Sequence, residues 1–349
     1  MSRKWKIFAL LLSLCLPQCG GAQAEADNPD GYRLSDPVVH GNLAIYFVYG
    51  NSRSGPIPLT LQEALARKVV MVREIGQVNE LQVENIGDDE IFIQSGDIVK
   101  GGQQDRVLSV SMVLPPHSGA IPIDSFCVES GRWSARGGED VRTFSSAAAA
   151  LPSRTAKLAI AGALTKRPDG PDASAGTRQQ EIWRNVAKIQ EKLSANLGSS
   201  VAAPRSRTSL QLTLEDSHLA GEQAEYIAAL QSKGEQGDEI VGYVFAVNGK
   251  INSADIYPSN GLFRKMWPKL LRASVTEAIG ERAADNAPAP PTAAVSGFIS
   301  SANGGHAVEA KAGDRANISM RDSPKAMVLE ARPAAAPAAS WVYRSYLAK

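Results

Sequence analysis

The chain has 349 residues, with 37 Lys and Arg against 36 Asp and Glu, and three cysteines. Charge this balanced, with both signs interleaved throughout, gives no field for a nucleic acid, and three cysteines cannot build a disulfide framework. The length allows one large domain or two small ones.

Residues 1–24 place Arg3, Lys4 and Lys6 before the apolar run Ile7 to Leu16 and the small-residue site Ala22-Gln23-Ala24. That order predicts a secretory signal peptide cleaved after Ala24, and a run this short does not span a bilayer, so no transmembrane segment is expected. The expected location is therefore periplasmic or secreted, in a bacterial context. The rival is a lipoprotein signal ending at Cys19, which the bulky Gln18 disfavours. Cleavage removes three basic residues, so the remaining chain carries about −2 and invites no anionic surface. It also removes Cys15 and Cys19. Cys127 is then the one cysteine left, in the run Phe126-Cys127-Val128, which reads as buried and inert.

Residues 25–58 contain one strand, around Tyr46 to Tyr49. Thr60 and Glu63 form a capping box for a short helix from Leu61 to about Lys68. Strands follow at Val69 to Ile75, Val78 to Asn85 and Ile91 to Ile93. Arg106 to Leu114 alternates at period 2 and reads as one continuous strand, with Arg106 at the end of its apolar face. Pro115-Pro116 stops it, and Ile121 to Glu129 returns beside it as a hairpin. This strand-rich, β-sandwich-like N-terminal half is expected to pack with a helical and hairpin C-terminal half, an α+β fold.

The densest charged stretch, Ser95 to Trp133, lies within that half. A guanidinium on an apolar face needs a carboxylate, so Arg106 is expected to meet Asp97, Asp105 or Glu129, with Arg132 joining and Trp133 capping by stacking. These residues are the candidate site: Asp97, Asp105 and Glu129 as acid or base, Cys127 as a weaker nucleophile candidate, and Arg106, Arg132 and Trp133 for binding.

Beyond Trp133, Ser145 to Ala163 is alanine-rich and Lys166 to Gly176 is a Pro/Gly/Asp loop. Thr177 and Gln180 read as a second capping box, opening a helix whose apolar positions Ile182, Val186, Ile189, Leu193 and Leu197 end at Gly198. A helix from Asp216 to about Lys233 follows. Then Asn248-Gly249 joins Glu239–Val247 to Ile251–Ile256 as a tight hairpin. A helix from Gly261 to Arg282 is expected to kink or restart at Pro268. An Ala/Pro linker occupies 284–294. In the tail, 295–349, two short runs, Ala326 to Ala331 and Trp341 to Leu347, read as strands.

The series Leu59-Thr60-Leu61-Gln62-Glu63, Leu81-Gln82-Val83-Glu84-Asn85, Gly96-Asp97, Gly101-Gly102-Gln103-Gln104-Asp105-Arg106 and Cys127-Val128-Glu129-Ser130-Gly131-Arg132-Trp133 resembles the ARPP-type domain family, named for association with ARG and rhodanese/phosphatase-superfamily proteins. The resemblance places an α+β domain over 59–283 and implies no particular reaction. Where many members of that family carry Glu, Lys and Asn, this chain has Asp97, Gln103 and Asp105.

The four histidines, His40, His117, His218 and His306, are scattered and form no zinc pattern, and no phosphate loop, dinucleotide fingerprint or nucleophile elbow occurs, so no cofactor is expected. Two functions remain. One is an exported binding module, for a protein or a small anionic ligand, centred on Ser95–Trp133. The alternative is a metal-independent enzyme whose carboxylate, Asp97, Asp105 or Glu129, works beside Arg106 and Arg132 holding an anionic substrate.

Overall fold

The structure, a computed structural model, describes residues 31–137, 139, 141–164, 175–284, 287–312, 315–334 and 340–349. The leader read at 1–24 and most of the loop read at 166–176 lie outside the described residues.

The first elements are β1 (Arg33–Leu34), β2 (Val38–His40), β3 (Leu43–Tyr49) and β4 (Leu59–Thr60), the last running into helix α1 (Leu61–Ala66). Thr60 accepts from Glu63 N–H while the Glu63 carboxylate accepts from Thr60 N–H, so both halves of the capping box form. Then come β5 (Val70–Glu74), β6 (Glu80–Asn85), β7 (Ile91–Ile93), β8 (Ile98–Gly101), β9 (Arg106–Leu108), β10 (Met112–Leu114), β11 (Gly119–Cys127) and β12 (Phe144–Ser146). Four helices follow: α2 (Arg154–Leu164), α3 (Ala175–Leu197), α4 (Leu210–Leu214) and α5 (Ser217–Gly234). The hairpin of β13 (Ile240–Val247) and β14 (Lys250–Ile256) turns at Asn248 and Gly249, both at positive φ, and leads into α6 (Asn260–Gly280). The chain closes with α7 (Thr292–Asn303), β15 (His306–Ala312), β16 (Ala316–Asp322), β17 (Ala326–Pro333) and β18 (Tyr343–Ala348).

The result is a mixed α+β protein whose N-terminal half is strand-rich. Its largest sheet runs β1-β3-β13-β14-β18-β17-β16-β15, with β2 also on β3. Strands from early and late in the sequence therefore share one sheet, with β13 and β14 between them, and the 295–349 segment supplies four strands of the sheet that also holds β3. A three-stranded sheet, β10-β7-β4, and a six-stranded one, β12-β8-β9-β11-β6-β5, complete the N-terminal half.

Period-2 alternation explains how β3 is buried on both faces. Leu43, Ile45 and Phe47 enter the main core with β7, β10, β11 and α6, while Ala44, Tyr46 and Val48 face a second core under α7. Helix α6 turns Leu262, Met266, Trp267, Leu270 and Leu271 into the main core and runs unbroken through Pro268, where the sequence predicted a kink or restart. The indole of Trp267 lies so close to Gly234 that a Cβ there would sit 2.4 Å from it, which is why α5 ends on glycine.

Two other expectations are corrected. The period-2 run 106–114 is not one strand: β9 pairs with β11, whereas β10 pairs with β7 in another sheet. The crossing falls at Ser109–Ser111, where Ser109 Oγ donates to Asp124 O (2.9 Å) and Ser111 Oγ accepts from Ser95 N–H (2.8 Å). At Ser109 the hydroxyl joins the backbone N–H on the same carbonyl (3.0 Å), and at Ser111 it takes a backbone N–H as the chain changes sheets. The helix read as starting at Thr177 already includes Ala175, which puts Thr177 inside it.

Candidate functional site

The chain places the candidate residues in three neighbouring groups, all built on strands β8, β9 and β11. The first surrounds Asp105, at the end of the Gly101–Gln104 turn between β8 and β9. Gly101 and Gly102 both adopt positive φ, and a Cβ on Gly101 would meet Thr143 O at 2.4 Å, so the tight turn requires glycine. Asp105 accepts a bidentate pair from Arg136 (Nη1 to Oδ2 2.7 Å, Nη2 to Oδ1 3.0 Å), together with Gly101 N–H (3.1 Å) and Ser209 Oγ (2.9 Å). Ser209 also caps α4 by accepting from Leu212 N–H, which ties that helix to the network.

Glu129 completes the first group. It accepts from Arg132 Nε (2.8 Å), from Asp105 N–H (3.4 Å) and from the Ser206 hydroxyl, with Arg136 Nη1 at 3.6 Å. Arg136 in turn holds Glu139. Asp105 and Glu129 have no solvent-accessible side-chain surface. Burial works against the charge of Arg136, but the bonds to Asp105 and Glu139 and the field of Glu129 prevail and raise its pKa above the ordinary arginine value. The arrangement is a closed ion network.

The second group is centred on Arg106, 1% exposed. Its register partner is Cys127, with Glu129 two residues further along the chain. Arg106 Nη1 donates to Cys127 Sγ (2.8 Å) and to Gln104 Oε1 (3.2 Å), and Nη2 lies 3.6 Å from Glu74 Oε1. The carboxylate beside Arg106 is thus Glu74, from the end of β5, and not Asp97, Asp105 or Glu129. Trp133 lies over the guanidinium, with 5.7 Å between Arg106 Cζ and the ring centre, and is itself 52% exposed.

Burial pushes the Cys127 thiol up to about 11, with Arg106 opposing and Glu74 and Glu129 adding to the rise. The backbone of Cys127 is closed off too, since Gln179 on α3 accepts from its N–H (2.9 Å) and donates to its carbonyl (2.8 Å). A protonated, enclosed thiol is a poor nucleophile.

The third group is separate from both. Asp97 accepts from Lys269 Nζ on α6 (2.6 Å) and from Gln94 N–H (3.0 Å), and both charged side chains are at most 5% exposed. Beside them Tyr257 donates to Gln94 Oε1. Burial raises the Tyr257 pKa well above the ordinary tyrosine value, followed by the fields of Tyr343 and Asp255.

Sequence reasoning missed Glu74, Arg136 and Lys269. Only Lys269 carried a signal: it recurs with Leu262, Met266 and Ala273 at helical spacing on a face that is otherwise apolar. Arg136 comes from an irregular loop that no periodicity marks.

Three exposed apolar side chains, Ile75, Val78 and Trp133, come from segments that touch the Arg106 group. Ile75 and Val78 occupy the turn between β5 and β6, both exposed, and Val78 O lies 4.0 Å from Cys127 Sγ. Each of the three adjoins the Arg106 group through a different member: Ile75 follows Glu74 in the chain, Val78 O lies near Cys127 Sγ, and Trp133 lies over the guanidinium. Among the described residues no three His, Cys, Asp or Glu side chains are placed to hold a metal ion, and no helix is long and apolar enough to cross a membrane.

No curated protein matches the chain, and no solved structure matches it. The model of the ARG and Rhodanese-Phosphatase-superfamily-associated Protein domain, ARPP-1, matches residues 31–346. With nearly all of the described fold inside that match, the chain belongs to the ARPP-1 family.

Proposed function

We propose that this chain is an exported binding module that docks a protein partner on the apolar rim of Ile75, Val78 and Trp133. The observation carrying the reading is Trp133: a large aromatic side chain left half in solvent, yet held over a buried guanidinium. Exposed tryptophans anchored from below are typical interface hot spots, because little side-chain entropy is lost when a partner covers them. The buried Asp105–Arg136–Glu129–Arg132 network beneath then serves to hold the Gly101–Gln104 turn and the Ser130–Ser134 segment in place. Export is supported by the leader pattern of residues 1–24.

Three features weigh against the carboxylate enzyme. Asp105 and Glu129 are closed to solvent, their oxygens already accept from guanidiniums, hydroxyls and backbone N–H groups, and Asp97 is taken by Lys269. A general base needs a carboxylate within reach of the substrate proton.

The test is a photo-crosslinking side chain installed at position 133 in the exporting cell, with the same group at the exposed Val39 as control. A discrete protein adduct at 133, absent at 39 and suppressed by excess unlabelled chain but not by the Trp133→Ser chain, supports the reading. Identical patterns at the two positions refute it.

A further inference from the structure

Helix α7 covers the second core face of the large sheet, burying Val295, Phe298, Ile299 and Ala302 against Val328 and Tyr346. It ends at Asn303, before that face ends. Register shows what lies beyond. Ser319 pairs with Glu330, and Glu330 with Arg344, while Arg321 and Arg332 sit two residues from Ser319 and Glu330 along their strands. Period-2 alternation puts all five on the side that α7 covers. There they line a pocket of about 230 Å³ with Asn303 at its edge.

We propose that this pocket binds a phosphate dianion, free or as the end of a phosphomonoester. Three guanidiniums on the adjacent strands β16, β17 and β18 face one carboxylate, so the lining carries about two net positive charges, which match a dianion. Glu330 orders the forks. It accepts from Arg332 Nε and from Arg344 Nε, while Trp341 stacks on Arg344 (4.4 Å) and Tyr32 OH accepts from Arg344 Nη1 (3.2 Å). Arg321 is held from the other side by donating through Nη1 to Asn303 O (2.6 Å).

Arg332 Nη1 and the Nε and Nη2 of Arg321 make none of these bonds, and both residues line the pocket. A purely solvated ion pair would stand exposed, whereas Glu330 and Arg344 retain only 13% and 14% of their side-chain exposure and Arg332 25%. The volume lies below the roughly 300–1,000 Å³ of pockets for drug-sized ligands, which favours a small anion or the head of a larger one. The site is remote from the Trp133 rim in sequence and does not depend on the binding reading above.

The test is calorimetric titration of the leaderless chain with inorganic phosphate and with phenyl phosphate, at ionic strength held constant with chloride. Saturable binding near one equivalent is expected. Arg332→Gln should weaken it by about tenfold or more, the worth of a charge-assisted bond. Arg321→Gln, exposed and outside the Glu330 pairing, is the second variant that keeps the fold and should also weaken it. Glu330→Gln removes the one negative charge of the lining and should tighten it. Binding of phosphate alone identifies the free anion, and binding of both identifies a phosphomonoester terminus. No saturation by about 10 mM, a response equal to that of added chloride, or affinity unchanged in both arginine variants overturns the proposal.

Discussion

Replacing Lys269 by Met keeps the length of the stem and removes one charge from the buried pair with Asp97. Asp97 then retains the Gln94 N–H bond at 3.0 Å but loses its cation at 2.6 Å, in a site where both side chains are almost wholly covered. The Ser146 hydroxyl, 3.4 Å from Lys269 Nζ, is a long and neutral partner whose loss adds little beside that of the ion pair. Breaking such a pair from one side costs about 3–5 kcal/mol, against about 0–1 for an exposed pair. Removing both charges should be far cheaper. In Asp97→Asn/Lys269→Met the amide oxygen still accepts from Gln94 N–H and no charge is stranded, so the double variant should recover at least about 2 kcal/mol of the summed single losses. Urea denaturation of the four proteins at pH 7, read by linear extrapolation with unchanged slope, gives the cycle. A Lys269→Met loss below about 1 kcal/mol would refute the reasoning, because the pair would then behave as solvated.

Arg106→Ala is expected to destabilise by about 3–5 kcal/mol, with stronger coupling in a double-mutant cycle to Glu74→Ala than to Glu129→Ala; the reverse order would restore the pairing expected from sequence. Cys127 should react slowly with a thiol reagent at pH 8 and completely after denaturation. Its folded pKa of about 11 exceeds the ordinary 9.0, so its contribution is intact below pH 9 and is lost as pH rises towards 11. Fast native labelling would show the thiol open. The intact mass of exported protein should correspond to a chain starting at Glu25, whereas a lipid adduct on Cys19 would establish the lipoprotein route.

Local chemistry was the most legible part of the sequence. The Thr60–Glu63 capping box, the Asn248-Gly249 turn and the apolar stripe of α6 each depend on residues a few positions apart, and each formed. Long-range pairing was not legible. The alternation from Arg106 to Leu114 is compatible with one strand or two, and only the partners of Ser109 and Ser111 decide between them. In the same way the charged stretch announced a buried network, but its counter-ions came from β5, α6 and the loop at Arg136, which are distant or irregular in sequence. The helix spacing of Val295, Phe298, Ile299 and Ala302 was present in the segment read as a linker and tail, and its partners, β3, β13, β14, β17 and β18, explain why that face is apolar.

The division of labour between a structural network and a binding rim is tested most directly by partner retention in two variants, using the adduct captured at position 133 as the identified partner. Trp133→Ala, at a half-exposed position, should fold with stability within about 0.5 kcal/mol of the parent and fail to retain the partner. Asp105→Asn should lose several times that stability, about 2–4 kcal/mol, by weakening the Arg136 fork, yet retain the partner under conditions where it is folded. Partner retention by Trp133→Ala, together with its loss in folded Asp105→Asn, would contradict the proposal and place the binding chemistry in the carboxylate network.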